Sequence, residues 1–196
     1  MEHTEEILNY CRQLRIGGIA DRFNEIVEKS ESNSIGYLEF TLQLLRAETA
    51  HRQQNDVKRR RKLAGLPRKS DLDGYDHSFE NGMSKIRINQ LRELNWLDQG
   101  YNLMLMGPSG VGKTMLAGGL CADAIEKGYK AYFRTMEELV NVLKLKEVTR
   151  SALTDYKRLI KADLIIIDDI MLLPKEKNMA LALFNFINQV YENTCF

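Results

Sequence analysis

The sequence has little that would point outside a reducing cell interior. Its three cysteines, Cys11, Cys121 and Cys195, lie far apart, are odd in number and form no C-x-x-C pair. That argues against a disulfide framework and against a structural zinc. No apolar run approaches the length needed to span a bilayer. The start, Met1-Glu2-His3-Thr4-Glu5-Glu6, is acidic and lacks the apolar segment of a secretory signal. The expectation is a soluble, cytoplasmic protein. An excess of either charge is missing too: 28 Lys and Arg stand against 27 Asp and Glu, a net +1. Total charge therefore selects no partner, and a polyanion could be met only through local clustering. Repeats and low-complexity tracts are also lacking. What is present is 196 residues, 44% hydrophobic, enough for one good core and a smaller appendage.

One stretch organises the rest. Gly107, Pro108, Ser109, Gly110, Val111, Gly112, Lys113 and Thr114 spell G-x-x-x-x-G-K-[ST], followed by Met115, the pattern of a phosphate-binding loop. Before it, Asn102-Leu103-Met104-Leu105-Met106 reads as a strand; after it, Met115 to Ile125 has helical spacing. Glycines let the backbone curl so that successive N–H groups face an anion, and the following helix adds its positive end. Lys113 is expected on the β- and γ-phosphates of ATP, and Thr114 on Mg²⁺.

A second stretch, Asp163-Leu164-Ile165-Ile166-Ile167-Asp168-Asp169, has four consecutive aliphatics without alternation, as in a strand buried on both faces of a parallel sheet. Carboxylates at its C-terminal end sit where open α/β sheets bind ligands. Asp168 is the candidate Mg²⁺ ligand. Asp169 is either the group that orients or deprotonates the attacking water, or a member of the metal's outer shell and loop hydrogen bonding. Lys113, Asp168 and Asp169 are thus the candidate catalytic residues.

The N-terminal part reads as helices. Two short ones span about 4–29, with Gly17-Gly18 between them, and Glu28 to Ser34 reads as a loop. A long helix follows from about Gly36 to Ala64, with Leu38, Leu42 and Leu45 as its apolar stripe. That helix ends in Lys58-Arg59-Arg60-Arg61-Lys62, then Gly65 and Pro67 stop it. The basic run is a solvated helix end or a set of contacts to nucleic-acid phosphates; nothing in it suits base reading. The expected organisation is a helical DNA-binding and oligomerisation domain at 1–67, a polar connector at 68–82 and an ATPase core at 83–196. Tyr75 and Phe79 of the connector are expected to pack on the core. Further expectations are a helical element from Ile86 to Leu97, a strand at 130–134, a capping box of Thr135 and Glu138, a helix marked by Leu153 and Tyr156, and a last helix at 175–193.

Together these features resemble the IstB-like ATPases, transposition helpers related to DnaC-type helicase loaders within the AAA+ class. The resemblance rests on GPSGVGKT, DLIIIDD with the following LLP, KAYFRTMEELVNVL, LRIGGIADRF, the long basic helix YLEFTLQLLRAETAHRQQNDVKRRRKLAGLP, and SDLDGYDHSF. It implies an α/β P-loop AAA+ core behind a small all-α domain. It also implies an ATP-dependent oligomer on duplex DNA that marks a target site and engages a transposase. That family continues with a sensor strand, an arginine finger and a final strand that this sequence does not contain, so hydrolysis by the 196 residues alone is expected to be slow. Competing readings are a helicase loader, whose N-terminal helices grip a helicase, and a nucleotide-dependent scaffold that hydrolyses little. A small-molecule kinase leaves the basic helix without a role.

Overall fold

A computed structural model describes residues 2–75, 83–174 and 176–196. The expectations for Asp76, Phe79, Asn81, Gly82 and Lys175 lie outside the described residues. The chain divides into two compact units, Met1–Arg59 and Arg60–Phe196. The division falls inside a helix, upstream of the Gly65–Pro67 stop.

In the first unit, helices α1 (Glu2–Gln13) and α2 (Gly17–Ser32) precede α3 (Tyr37–Ala64), whose first part belongs here. Cys11, Ile19 and Phe23 form the small core, with Leu8, Val27, Phe40 and Leu44 against it. Gly18 is required by contact rather than conformation: a Cβ there would stand 2.7 Å from the Ala47 carbonyl oxygen and 2.8 Å from Glu48 Cα. The first turn of α2 therefore rests on the backbone of α3. The buried Glu48 accepts a bond from the Gly18 amide at 2.8 Å and one from Arg52 Nε at 2.5 Å, answering an otherwise orphaned donor at the start of α2.

Two expectations are corrected in this unit. The leucine stripe is not the core face: Leu38 is 89% exposed and Leu45 56%, whereas Phe40, Leu44, Ala47 and Glu48 turn inward. Glu48, a charged residue, completes the inward face, so a purely hydrophobic reading picks the wrong side. The Ser-rich stretch stays helical to Ser32, because Ser30 Oγ donates to the Ile26 carbonyl at 2.6 Å and Lys29 pairs with Glu25 at 2.5 Å.

The second unit is built on a parallel pair, β1 (Ala131–Thr135) and β2 (Leu164–Asp168), in register from Ala131↔Leu164 to Thr135↔Asp168. The crossover between them is helical: α7 (Met136–Leu145) and α8 (Arg150–Leu159). The capping box forms as expected, Thr135 accepting from the Glu138 amide and Glu138 from the Thr135 amide. Helix α6 (Lys113–Glu126) packs on both strands, and α9 (Lys177–Val190) packs on α7. Met136, Leu139, Leu159, Ile165, Phe186 and Val190 are almost completely enclosed in the main core.

The helical element before the phosphate loop is two pieces, α4 (Lys85–Arg92) and α5 (Asn95–Asp98), separated by Leu94 at φ +63°. Leu94 is fully buried; burial worth about 1.5–3 kcal/mol offsets a left-handed cost of about 1–2 kcal/mol. Residues 102–106 carry no strand ladder, contrary to expectation. Ladders need partners: the long-range main-chain bond here, among the described residues, runs from the Leu103 amide to the Phe196 carbonyl at 2.8 Å. Cys195 in turn bridges Leu164 in parallel. The segment thus lies beside the sheet through the chain's last two residues.

Candidate functional site

The phosphate loop closes on itself. Gly110 and Gly112 take φ +87° and +89°, where a Cβ would be strained, and α6 starts at Lys113 with no acidic residue in its first turn. The dipole end and the free N–H groups of that turn are left for an anion. Lys113 Nζ donates to the Gly107 and Pro108 carbonyls at 2.8 and 2.7 Å, so its ammonium is already held inside the loop.

The two motifs meet. Thr114 Oγ1 donates to Asp168 Oδ2 at 2.8 Å, and Asp168 Oδ1 accepts from the Asp169 amide at 3.0 Å. Asp168 is the last residue of β2, directly across from Thr135. A hydroxyl and a carboxylate side by side suit a hard cation that keeps most of its water and takes its other ligands from phosphate. Among the described residues, no group of three or more His, Cys, Asp or Glu side chains could hold a metal ion. Asp169 is exposed, at φ +55°, and its carbonyl accepts from the Leu172 amide at 2.9 Å, turning the chain away from the strand.

A cleft of about 500 Å³ opens beside the loop. Its lining includes Val111, Gly112 and Lys113 of the loop and Tyr75, Ser84, Arg87 and Leu91. Reading the sequence did not single out Ser84 or Arg87. The available signal was local: Ser84 is the N-cap of α4, accepting from the Arg87 amide, on the element that precedes the loop. Arg92 fixes that element. Its guanidinium bonds Asp123 of α6 at 2.7 Å and Asp73 at 2.6 Å, and these two carboxylates raise its pKa further.

The basic run is not brought to the loop. Arg59 pairs with Asp56 at 2.6 Å within the first unit. In the second unit Arg60 donates to the Gly128 carbonyl, just past α6, and Arg61 pairs with Glu126 at 2.7 Å. The buried Arg134 of β1 donates to the Ala64 and Leu63 carbonyls at 2.8 and 3.3 Å, capping the end of α3. Lys58 and Lys62 are exposed and make no ion pair among the described residues. Behind the site, burial pushes the Cys121 thiol up to about 12.

The chain resembles known proteins in sequence and in fold. A family model of IstB-like ATP-binding proteins matches residues 9–196. A protein named for ATP binding in an IS21-like insertion sequence of Bacteroides fragilis is 41% identical over 194 residues, covering 99% of this chain and 74% of the relative. One named likewise in insertion sequence IS5376 of Geobacillus stearothermophilus is 32% identical, covering 96% of this chain and 75% of the relative. Among solved structures, AMPPCP-bound DnaA from Aquifex aeolicus superposes with a TM-score of 0.53 at 19% identity, over 66% of this chain and 41% of that one. That likeness carries the fold alone, an α/β P-loop core.

Proposed function

The chain belongs to the IstB-like ATP-binding family, and from that premise we propose that it is a DNA-binding transposition helper whose ATP site is the one described above. The observation that supports the nucleotide part is the Thr114–Asp168 bond, which sets a hydroxyl and a carboxylate side by side next to the glycine-rich loop. Gly107 to Met115 cradle the triphosphate, Lys113 turns from the loop carbonyls to the β- and γ-phosphates, and the base enters the cleft between Val111 and Arg87. Mg²⁺ held by Thr114 and Asp168 would neutralise charge developing on the phosphates. Asp169 orients the attacking water. The protein self-associates, binds duplex DNA through the phosphate backbone, and engages the transposase of its element.

The decisive test is calorimetric titration of ATP into Lys113→Ala. Lys113 brings the loop's one cationic side chain, so most affinity is expected to vanish while the far-ultraviolet spectrum stays the same. Unchanged affinity in a folded variant would remove the assignment. A helicase-loader reading draws on one observation: Tyr37, Leu38 and Leu45 present an exposed apolar stripe on α3, a surface better suited to protein than to DNA.

A further inference from the structure

The connector between α3 and α4 does more than join two segments. Gly118 and Gly119 in the middle of α6 have no conformational need to be glycine. A Cβ on Gly118 would lie 2.4 Å from Pro67 Cγ, and one on Gly119 2.2 Å from Leu72 Cγ. The connector therefore lies in a groove on the helix that follows the phosphate loop. At one end of that helix a Cβ on Gly112 would meet the Tyr75 ring at 3.3 Å, with Tyr75 itself buried. At the other end the last turn of α3 is anchored by Arg60 on the Gly128 carbonyl and by Arg61 on Glu126. Arg92 ties the middle down, holding Asp73 of the connector and Asp123 of α6 with one guanidinium.

We propose that residues 65–75 form a strap that couples nucleotide at the phosphate loop to the last turn of α3, with Tyr75 as the positioning residue at the loop end. Lys113 supplies the discrete event. Its ammonium rests on the Gly107 and Pro108 carbonyls, and phosphate oxygens compete for the same donors, so the loop rearranges next to Gly112, where the Tyr75 ring sits. Packed, contiguous elements transmit such a change because interdigitated side chains have no room to absorb it. The residues at the far end are those that carry the basic run. The inference rests on nucleotide binding in the loop and is independent of whether that run contacts DNA.

Backbone hydrogen exchange with and without Mg·ATP, on the whole chain and without DNA, tests it. In the unaltered protein, nucleotide is expected to slow exchange at 107–114 and also at 60–66, the latter by about tenfold. In Tyr75→Ala at saturating ATP the slowing at 107–114 should persist and that at 60–66 disappear; Tyr75→Phe, which keeps the ring, should show both. Protection at 107–114 reports nucleotide binding in each sample, so failure of binding is told apart from failure of coupling. If Tyr75→Ala unfolds or loses ATP, Leu72→Ala, which unseats the strap from Gly119 and does not line the cleft, decides by the same pattern. Slowing confined to 107–114 in the unaltered protein, or kept at 60–66 in the decisive variant, overturns the proposal.

Discussion

Asp168 has a separate partner at each of its carboxylate oxygens. One oxygen turns the chain after β2 by accepting the Asp169 amide; the other receives Thr114. Replacing it by Asn keeps size and hydrogen bonding but removes the charge a divalent cation needs. Asp168→Asn is therefore expected to fold normally and to lose the Mg²⁺-dependent part of its ATP affinity, about tenfold or more. Titrations in Mg²⁺ and in EDTA should differ for the unaltered protein and coincide for the variant. Glu48 makes a second prediction. The Arg52 bond, with the Gly18 amide, holds its carboxyl below the ordinary 4.5. A lowered carboxylate stabilises the folded state above the unfolded value, and that contribution is lost as pH falls through the folded one. The first unit should thus lose stability as pH drops below about 4.5. In Glu48→Gln, circular-dichroism melts should be less pH-sensitive there and about 1 kcal/mol less stable at pH 7. The meeting of Thr114 with Asp168 could be anticipated from the sequence, because the expected phosphate chemistry prescribes both residue type and spacing. It hid Glu48, whose role depends on a partner thirty residues away.

At the scale of elements, most boundaries could be read because they are set locally. The Thr135–Glu138 capping box, the glycine and proline after α3, and the aliphatic run of β2 each carry their own signal. The misread elements depend on distant partners. Residues 102–106 have strand composition but bond to Phe196 at a single main-chain position, and α3 has two apolar faces of which only the less leucine-rich is buried. The glycine pair of α6 belongs to the same class, since its reason is the connector lying across it. Gly119→Ala would raise helix propensity, yet its methyl group would stand 2.2 Å from Leu72 Cγ. Overpacking is expected to prevail, with a loss of about 1–3 kcal/mol, read as a lower urea midpoint at unchanged slope. A gain in stability would mean that the connector moves aside easily, and would count against the strap.

For the whole molecule, the charge pattern matters more than the total. Arg60 and Arg61 spend their guanidinium groups on Gly128 and Glu126, whereas Lys58 and Lys62 face outward. If α3 lies on DNA, replacing Lys58 and Lys62 by Gln should reduce the salt slope of binding by about one unit each. Arg61→Gln should change it less and instead lower stability. Equal slopes for all three variants would undo that division of labour. The cysteines, first noticed for being few, acquire a use at this scale. Cys11 lies in the first unit and Cys121 and Cys195 in the second, all 5% exposed or less. A thiol reagent can reach them only when the surrounding packing opens. The protein therefore carries its own clock for partial unfolding, one hand in each unit. In a mass spectrum of briefly alkylated protein, a single adduct at Cys11 would record the helical unit opening alone, and adducts at Cys121 or Cys195 the loosening of the nucleotide-binding unit.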